Sequence, residues 1–179
     1  FAVVADIQPA ASDPTAKTLT QELFFLLLEF LPTTKKGDEL RLAVKLAYYA
    51  GLRRNQILSL RPDKIALVWQ GGKEYLRIKD NDRDRKIFLP QAILDEMQRF
   101  AGLSINSNYA THTIRKAVAL IRQKTPTFPD ADFHSLRHSY AMRQLFAGAD
   151  AQDVQAQLGN ISQAAIRNYK KAMQEGPRL

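Results

Sequence analysis

The chain has 179 residues, of which 45% are aliphatic or aromatic and 25% are charged, and these values are ordinary for a globular domain with its own core. It contains no cysteine, which excludes disulfides, thiolate catalysis and cysteine-based zinc sites and fits a reducing compartment. The formal net charge of +8 favours a polyanionic partner, but a solvated basic surface explains the charge alone about as well.

The N-terminal region predicts an arm followed by a core helix. Residues 1–16 are rich in alanine, proline, serine and aspartate, which is typical of a linker or extended arm. Because the chain starts with Phe1 and not with methionine, we expect this to be the cut end of a longer protein. A helix is predicted over residues 18–31, ended by Pro32, with an apolar side broad enough for burial on more than one face. The longest apolar run of the chain, at 23–28, is too short to span a bilayer.

A second helix and a glycine turn follow. Asp38 is a fair N-cap for a helix that continues to Ala50, and Gly51 then turns the chain into another short helix. The stretch at residues 50–60 reads A-G-L-R-R-N-Q-I-L-S-L and places Arg53 at the start of that short helix. Taken alone, this arginine is equally consistent with an ordinary surface position.

The stretch at residues 64–90 has the pattern of strands. Apolar runs at 65–69, 75–79 and 87–89, with a Gly-Gly turn after the first, predict a three-stranded antiparallel sheet. Residues 80–86 read D-N-D-R-D-R-K and are expected to form a highly charged hairpin tip. The tip lacks the glycine and the distal glutamate of an EF-hand loop, so we reject calcium binding there.

Two helices are predicted next, over residues 91–101 and 108–124. The second could lie along a DNA backbone, although a charged helix face is more often only solvated. Its outer side carries Arg115, Lys116, Arg122 and Lys124.

The segment H-S-L-R-H-S at residues 134–139 opens the C-terminal region with a concentration of cationic groups. Spacings of three and four place His134, Arg137 and His138 near one face of a helix. A buried structural pair is the alternative reading of His134 and Arg137. Two cationic groups on one helical turn are nevertheless a poor way to build a core unless an anion is expected.

Behind this segment the chain breaks at G-A-D, residues 148–150, and resumes as a short helix that ends at L-G, residues 158–159. A last helix begins at Ser162 and carries Tyr169. By its helical spacing from Ile166 alone, Tyr169 would be interpreted as a core aromatic. Together with the cationic groups upstream it is a candidate nucleophile, because cleavage of a phosphodiester needs a nucleophile and neutralisation of the phosphate charge.

This order of motifs resembles the tyrosine recombinases of the phage-integrase family. In that family T-G-L-R-x-x-E-[LI]-x-x-L precedes H-x-L-R-H-[ST], G-A-D, L-G-[HW] and the nucleophilic tyrosine. The chain departs from the pattern at Gln56, where the family has glutamate, and at Asn160, where it has histidine or tryptophan. The resemblance covers most of the chain from about residue 40 onward. It implies an α+β, mainly helical catalytic domain over residues 17–179, with a small three-stranded antiparallel sheet.

The resemblance also implies the site. Two arginines would hold the nonbridging phosphate oxygens, a histidine would hydrogen-bond the phosphate and assist proton transfer, and a lysine would protonate the leaving 5′-oxygen. For that lysine we choose Lys79, with Lys86 as the second candidate. The predicted catalytic residues are Arg53, Lys79, His134, Arg137, Asn160 and Tyr169. The predicted DNA-binding residues are Arg54, Arg83, Arg85, Arg115, Lys116 and His138.

The implied activity is site-specific strand cleavage and rejoining through a 3′-phosphotyrosyl intermediate, by the integrase of a mobile element, without metal or other cofactor. The implied partners are double-stranded DNA, further copies of the chain in a tetramer on paired sites, and an N-terminal DNA-binding domain outside this chain. A cytoplasmic, nucleoid-associated location and no membrane partner are expected. Two alternatives stay open: a degenerate relative that binds DNA without cleaving it, favoured by Gln56 and Asn160, and an enzyme of the type IB topoisomerase kind.

Overall fold

The computed structural model describes residues 18–80 and 83–158 together with Arg167 and Lys171, and for residues 80, 83–85 and 156 it describes the backbone only. Over these residues the chain forms seven α-helices and one three-stranded antiparallel sheet, which confirms the predicted mainly helical α+β fold. None of the described helices combines the length and the apolarity needed to cross a bilayer. The helices are α1 (Gln21–Glu29), α2 (Lys35–Ala50), α3 (Arg54–Leu58), α4 (Gln91–Gln98), α5 (Ser107–Lys124), α6 (Phe133–Phe146) and α7 (Ala151–Leu158), and the strands are β1 (Ile65–Gln70), β2 (Lys73–Asp80) and β3 (Arg83–Ile87).

The start of α2 differs from the prediction that Asp38 caps it. The hydroxyl of Thr34 accepts a hydrogen bond from the backbone N–H of Gly37 at 3.2 Å, so the helix begins four residues earlier. Asp38 lies in the first turn, where its carboxylate forms an ion pair with Arg41 at 2.8 Å. Both threonine and aspartate are good N-caps, and the local sequence does not decide between them.

The sheet is a meander in the order β1, β2, β3. Gly71 and Gly72 have φ values of 60° and 75° and form the two-residue turn between β1 and β2, as such hairpins require. The predicted charged tip at 80–86 is wrong in extent, because residues 83–86 belong to β3 and only residues 81–82 separate it from β2. A charged strand with an exposed face shows too little apolar alternation to be distinguished from a loop.

The core surrounds α2, which packs against α6, α3 and α4. One face of the sheet closes this core through Leu76, Ile78 and Ile87, all of which are buried. In the apolar helix α1, Phe24 and Leu27 are buried and Leu23, Leu26 and Leu28 are half-buried against the core, whereas Phe25 is exposed. The buried side chains of α2 are Leu40, Ala43, Val44, Leu46, Ala47, Tyr48 and Ala50.

An aromatic cluster joins α1, α2 and α6. The rings of Phe24 and Tyr48 stack with centroids 3.8 Å apart, and the guanidinium of Arg143 lies 4.1 Å from the centroid of the Tyr48 ring. Arg143 also donates a hydrogen bond to the Tyr48 backbone carbonyl at 2.9 Å. The buried Tyr48 hydroxyl has no hydrogen-bond partner among the described residues. Burial raises the pKa of Tyr48 above its ordinary value of 10.0, because the charged phenolate would lose its hydration, although the nearby Arg143 charge opposes the shift.

Replacing Tyr48 by phenylalanine is expected to leave the free energy of unfolding at pH 7 unchanged within about 0.5 kcal/mol or to increase it, since no described residue offsets the desolvation of the lost hydroxyl with a hydrogen bond. The raised pKa means that folded Tyr48 keeps its proton at pH values where the unfolded chain loses it. Wild-type stability should therefore fall as the pH rises above about 10, and Tyr48→Phe should fall less steeply.

Urea denaturation between pH 7 and pH 11 measures both effects. The control is Tyr109→Phe on α5, which keeps Tyr48 and the neighbours that shift its pKa and should therefore keep the wild-type pH dependence of stability. If the free energy of unfolding fell equally steeply with pH in Tyr48→Phe and in the wild type, the raised pKa of Tyr48 would be contradicted.

Candidate active site

The N-terminus of α6 fixes the position of His134, the predicted catalytic histidine. The Asp132 carboxylate accepts a hydrogen bond from the Ser135 backbone N–H at 2.7 Å, and the Ser135 hydroxyl accepts one from the Asp132 backbone N–H at 2.9 Å. This reciprocal capping satisfies two backbone groups that would otherwise be unpaired at the helix start. His134 consequently lies in the first turn of a well-defined helix, exposed to solvent.

Arg137 points from α6 into the protein, and its side chain joins three of the predicted motifs. It is only 7% exposed, and its guanidinium donates hydrogen bonds of 2.5 Å to the backbone carbonyls of Gly51 and Leu158. Gly51 lies two residues before Arg53, and Leu158 lies two residues before Asn160. Because both acceptors are neutral carbonyls, these two contacts orient the guanidinium without neutralising its charge.

The packing around this junction is close. Gly51 ends α2 in the left-handed conformation with φ of 63°, as a helix C-terminal glycine commonly does. A Cβ atom at this position would lie 2.5 Å from Leu158 Cδ2 and 2.5 Å from Tyr140 Cδ1. The Tyr140 ring is itself held by a hydrogen bond of 2.7 Å from its hydroxyl to Gln157 Oε1. Helix α7 packs on α6 through a small apolar cluster of its own, which places Leu158 against Gly51.

His134 and His138 contact each other on the outer side of α6. Their Nε2 atoms are 2.6 Å apart, and their ring planes are nearly perpendicular, at 86°. His134 is exposed and His138 is half-buried. The predicted placement of three side chains near one helix face is therefore refined, because the two imidazoles pair with each other while Arg137 turns inward.

Arg53 stands at the start of α3 as its N-cap and is exposed. Its backbone N–H donates a hydrogen bond to the Gln56 side-chain carbonyl oxygen at 3.0 Å. That contact needs an acceptor three residues after the N-cap but does not need a charge. The substitution of glutamine for glutamate at position 56 thus preserves the local geometry of the helix that carries Arg53.

The predicted DNA-binding residues of α3 and α5 lie close together. Arg54 donates a hydrogen bond to the Thr111 hydroxyl at 3.3 Å and so bridges the two helices. Arg115 lies one turn after Thr111 on α5, and both Arg115 and Lys116 are exposed. This arrangement gives one continuous cationic surface across α3 and α5.

The two candidate lysines lie on the solvent face of the sheet. Lys79 is within β2, opposite Asp84, one residue before the end of the strand. Lys86 lies on β3 opposite Arg77, and its ammonium donates a hydrogen bond to Gln70 Oε1 at 2.8 Å. Alternation along β2 puts Arg77 and Lys79 on the same face as Lys86. The sequence analysis did not single out the exposed Arg77, although the period of two along β2 places it on this face.

Four predicted site residues are described incompletely or not at all. Arg83 and Arg85 have a described backbone in β3, opposite Asp80 and Ile78, but their side chains lie outside the described residues. Asn160 and Tyr169 also lie outside the described residues.

Gly51→Ala is expected to lower the free energy of unfolding by about 2–5 kcal/mol. About 1–2 kcal/mol comes from the left-handed backbone and about 1–3 kcal/mol from overpacking against Tyr140 and Leu158. The matched control is Gly71→Ala, which has a similar φ of 60° with nothing within 4 Å of the added Cβ, and should cost only the backbone contribution. Urea denaturation measures both changes, and equal losses in the two variants would contradict the close packing at position 51.

The sequence of the chain is similar to those of known tyrosine recombinases. The tyrosine recombinase XerA of Thermococcus kodakarensis is 29% identical over 178 residues, covering 89% of this chain and 59% of that protein. The tyrosine recombinase XerD of Caulobacter vibrioides is 27% identical, covering 90% of this chain and 59% of that protein. The chain therefore spans about three fifths of the length of these relatives.

Solved structures share the fold. The site-specific recombinase XerH bound to difH substrate in a pre-cleavage complex is similar with a TM-score of 0.63 and 22% identity, over 89% of this chain and 51% of that chain. The catalytic domain of bacteriophage HP1 integrase is similar with a TM-score of 0.61 and 17% identity, over 89% of this chain and 88% of that chain. The sequence matches the phage integrase family over residues 17–175, and the chain therefore belongs to that family.

Proposed function

We propose that this chain is the catalytic domain of a site-specific tyrosine recombinase that cleaves and rejoins double-stranded DNA. The observation that carries the proposal is the junction at Arg137, whose guanidinium contacts the segments leading to Arg53 and to Asn160. Two arginines from separate segments are thereby brought to one region beside the exposed His134. A phosphodiester with charge developing on its oxygens is the ligand that such an arrangement suits best.

In the proposed reaction the Tyr169 hydroxyl oxygen attacks the scissile phosphorus and the bond to the 5′-oxygen breaks. Arg53 and Arg137 hold the nonbridging oxygens, and His134 and Asn160 donate further hydrogen bonds to the phosphate. Lys79 gives its proton to the departing 5′-oxygen, and the resulting 3′-phosphotyrosyl ester is later attacked by a 5′-hydroxyl. The number of phosphoester bonds is unchanged at each step, so the reaction needs no nucleotide cofactor or external energy source.

DNA binding would use the cationic surface across α3 and α5 and the basic face of the sheet. Arg54, Arg115 and Lys116 belong to the first surface, with Arg77 and Lys86 on the second. Phosphate contacts release counterions, so binding should weaken steeply as salt is raised. We further propose action on paired sites by a tetramer, as the integrase of a mobile element, in the cytoplasm at the nucleoid.

Covalent trapping tests the proposed chemistry. The substrate is a library of duplexes with randomised sequence around one 5′-bridging phosphorothiolate, whose cleavage releases a thiolate that rejoins poorly. Wild-type protein is expected to form a detergent-resistant adduct whose phosphorylated peptide contains Tyr169. Tyr169→Phe should form none, and Tyr109→Phe, a control on α5, should behave as the wild type. Salt-sensitive DNA binding with no adduct would favour the alternative of a relative that binds without cleaving.

Comparing an ordinary phosphodiester with the phosphorothiolate shows which of the two lysines, Lys79 or Lys86, protonates the leaving group. With an ordinary phosphodiester, Lys79→Ala should slow cleavage by about 10²–10⁴-fold, because the alkoxide leaves without a proton. With the phosphorothiolate it should cleave at nearly the wild-type rate, since a thiol of pKa about 8.5 leaves as the thiolate. Lys86→Ala should show neither effect. Rescue of Lys86→Ala and not of Lys79→Ala would transfer the role of general acid to Lys86.

The second candidate function is DNA binding without cleavage, as in a degenerate relative. Gln56 does not favour this function over cleavage. The side-chain oxygen of Gln56 accepts a hydrogen bond from the Arg53 backbone N–H, and this contact does not need a charge at position 56. Asn160 is then the remaining departure, and its amide can donate a hydrogen bond but carries no charge.

A further inference from the structure

The pair of imidazoles on α6 has a geometry that the proposed reaction does not explain. His134 and His138 are one helical turn apart, and their Nε2 atoms are 2.6 Å from each other. The helix beneath them is held rigidly, because Leu136 and Arg137 are buried and Asp132 caps its first turn. Two nitrogen donors are thus presented at one point on an ordered surface.

Imidazole nitrogens at such a spacing suit a transition-metal ion. A metal held at about 2.1 Å by two adjacent imidazoles keeps the two nitrogens about 3 Å apart, so the observed pair has to open by only a few tenths of an ångström. The exposed His134 and the half-buried His138 can make that adjustment by rotation about their side-chain bonds, which turns both lone pairs toward the metal as the proton shared between the rings is released. Hard ions such as Mg²⁺ prefer oxygen, whereas Cu²⁺, Ni²⁺ and Zn²⁺ bind imidazole, Cu²⁺ the most strongly.

We infer that His134 and His138 form a bidentate binding site for divalent transition-metal ions, with Cu²⁺ bound most tightly. The described residues contain no group of three or more potential metal ligands, so water completes the coordination and the ion stays exchangeable. The net charge of +8 and the adjacent Arg137 lower the affinity below that of a structural metal site. An ion held there coordinates the Nε2 atom of His134 and prevents this nitrogen from hydrogen-bonding a phosphate. The metal site stands on the structure alone, whereas this blocking effect rests on the proposed function.

Metal binding is tested on the whole chain without DNA. Titration with Cu²⁺, followed by electron paramagnetic resonance, is expected to show two coordinated imidazole nitrogens in the wild type and one in His134→Gln or His138→Gln. Each of these variants should bind Cu²⁺ at least tenfold more weakly, through loss of chelation. The chain has three histidines and no cysteine, so His112→Gln on α5 is a matched control that should keep wild-type affinity. Equal affinity in all four proteins, or a loss only in His112→Gln, would overturn the inference.

The effect on the phosphate site is measured by covalent trapping with Ni²⁺, which is not oxidising. Adduct formation by the wild type and by His112→Gln should slow at least tenfold at saturating Ni²⁺ and recover with a chelator. Undiminished trapping with Ni²⁺ bound at the pair would overturn the blocking role. Metal binding with no adduct under any condition would leave the metal site standing and contradict the proposed function, so the two failures are distinguishable.

Discussion

The hydrogen bonds from Arg137 to the carbonyls of Gly51 and Leu158 are the constraint on which the candidate site depends. A guanidinium taken out of water must find acceptors, and here they come from two chain segments more than a hundred residues apart in sequence. The left-handed Gly51 lets the end of α2 approach closely enough to accept one of these bonds. Cationic groups of α6 and the segment leading to Arg53 therefore share one region, and removal of any part of the junction loosens the others.

Much of the fold follows from local sequence patterns. The apolar periodicity of α5 and α6, the glycine after α2 and the Gly-Gly turn between β1 and β2 each have a mechanism that acts within a few residues. Local spacing does not identify the site residues, because Arg53 at the start of a short helix looks the same as an ordinary surface arginine. Only the order of several short motifs, matched to a known family, made it a candidate. The match to that family over residues 17–175 supports this use of motif order.

Other features depend on contacts between residues that are distant in sequence, and local sequence patterns do not predict these contacts. Thr34 and Asp38 are both good caps for α2, and the structure uses Thr34 in a turn so close that a Cβ on Gly37 would lie 1.8 Å from the carbonyl oxygen of Pro32. The inward direction of Arg137 follows from acceptors that belong to distant segments. The extent of β3 follows from its pairing with β2, because a charged sequence becomes a strand when a neighbouring strand supplies hydrogen-bond partners.

The position of Lys79 within β2 determines how its ammonium group is able to move. Its backbone pairs with Asp84 of β3, and the preceding residue, Ile78, pairs with Ile65 of β1, so the position of Lys79 is set by the sheet. Only rotation about the side-chain bonds can then move this ammonium, which we propose as the proton donor, toward a leaving oxygen. Inserting residues between β2 and β3 would leave the reach of the Lys79 side chain unchanged, whereas sliding β2 by one residue would send the lysine to the opposite side of the sheet.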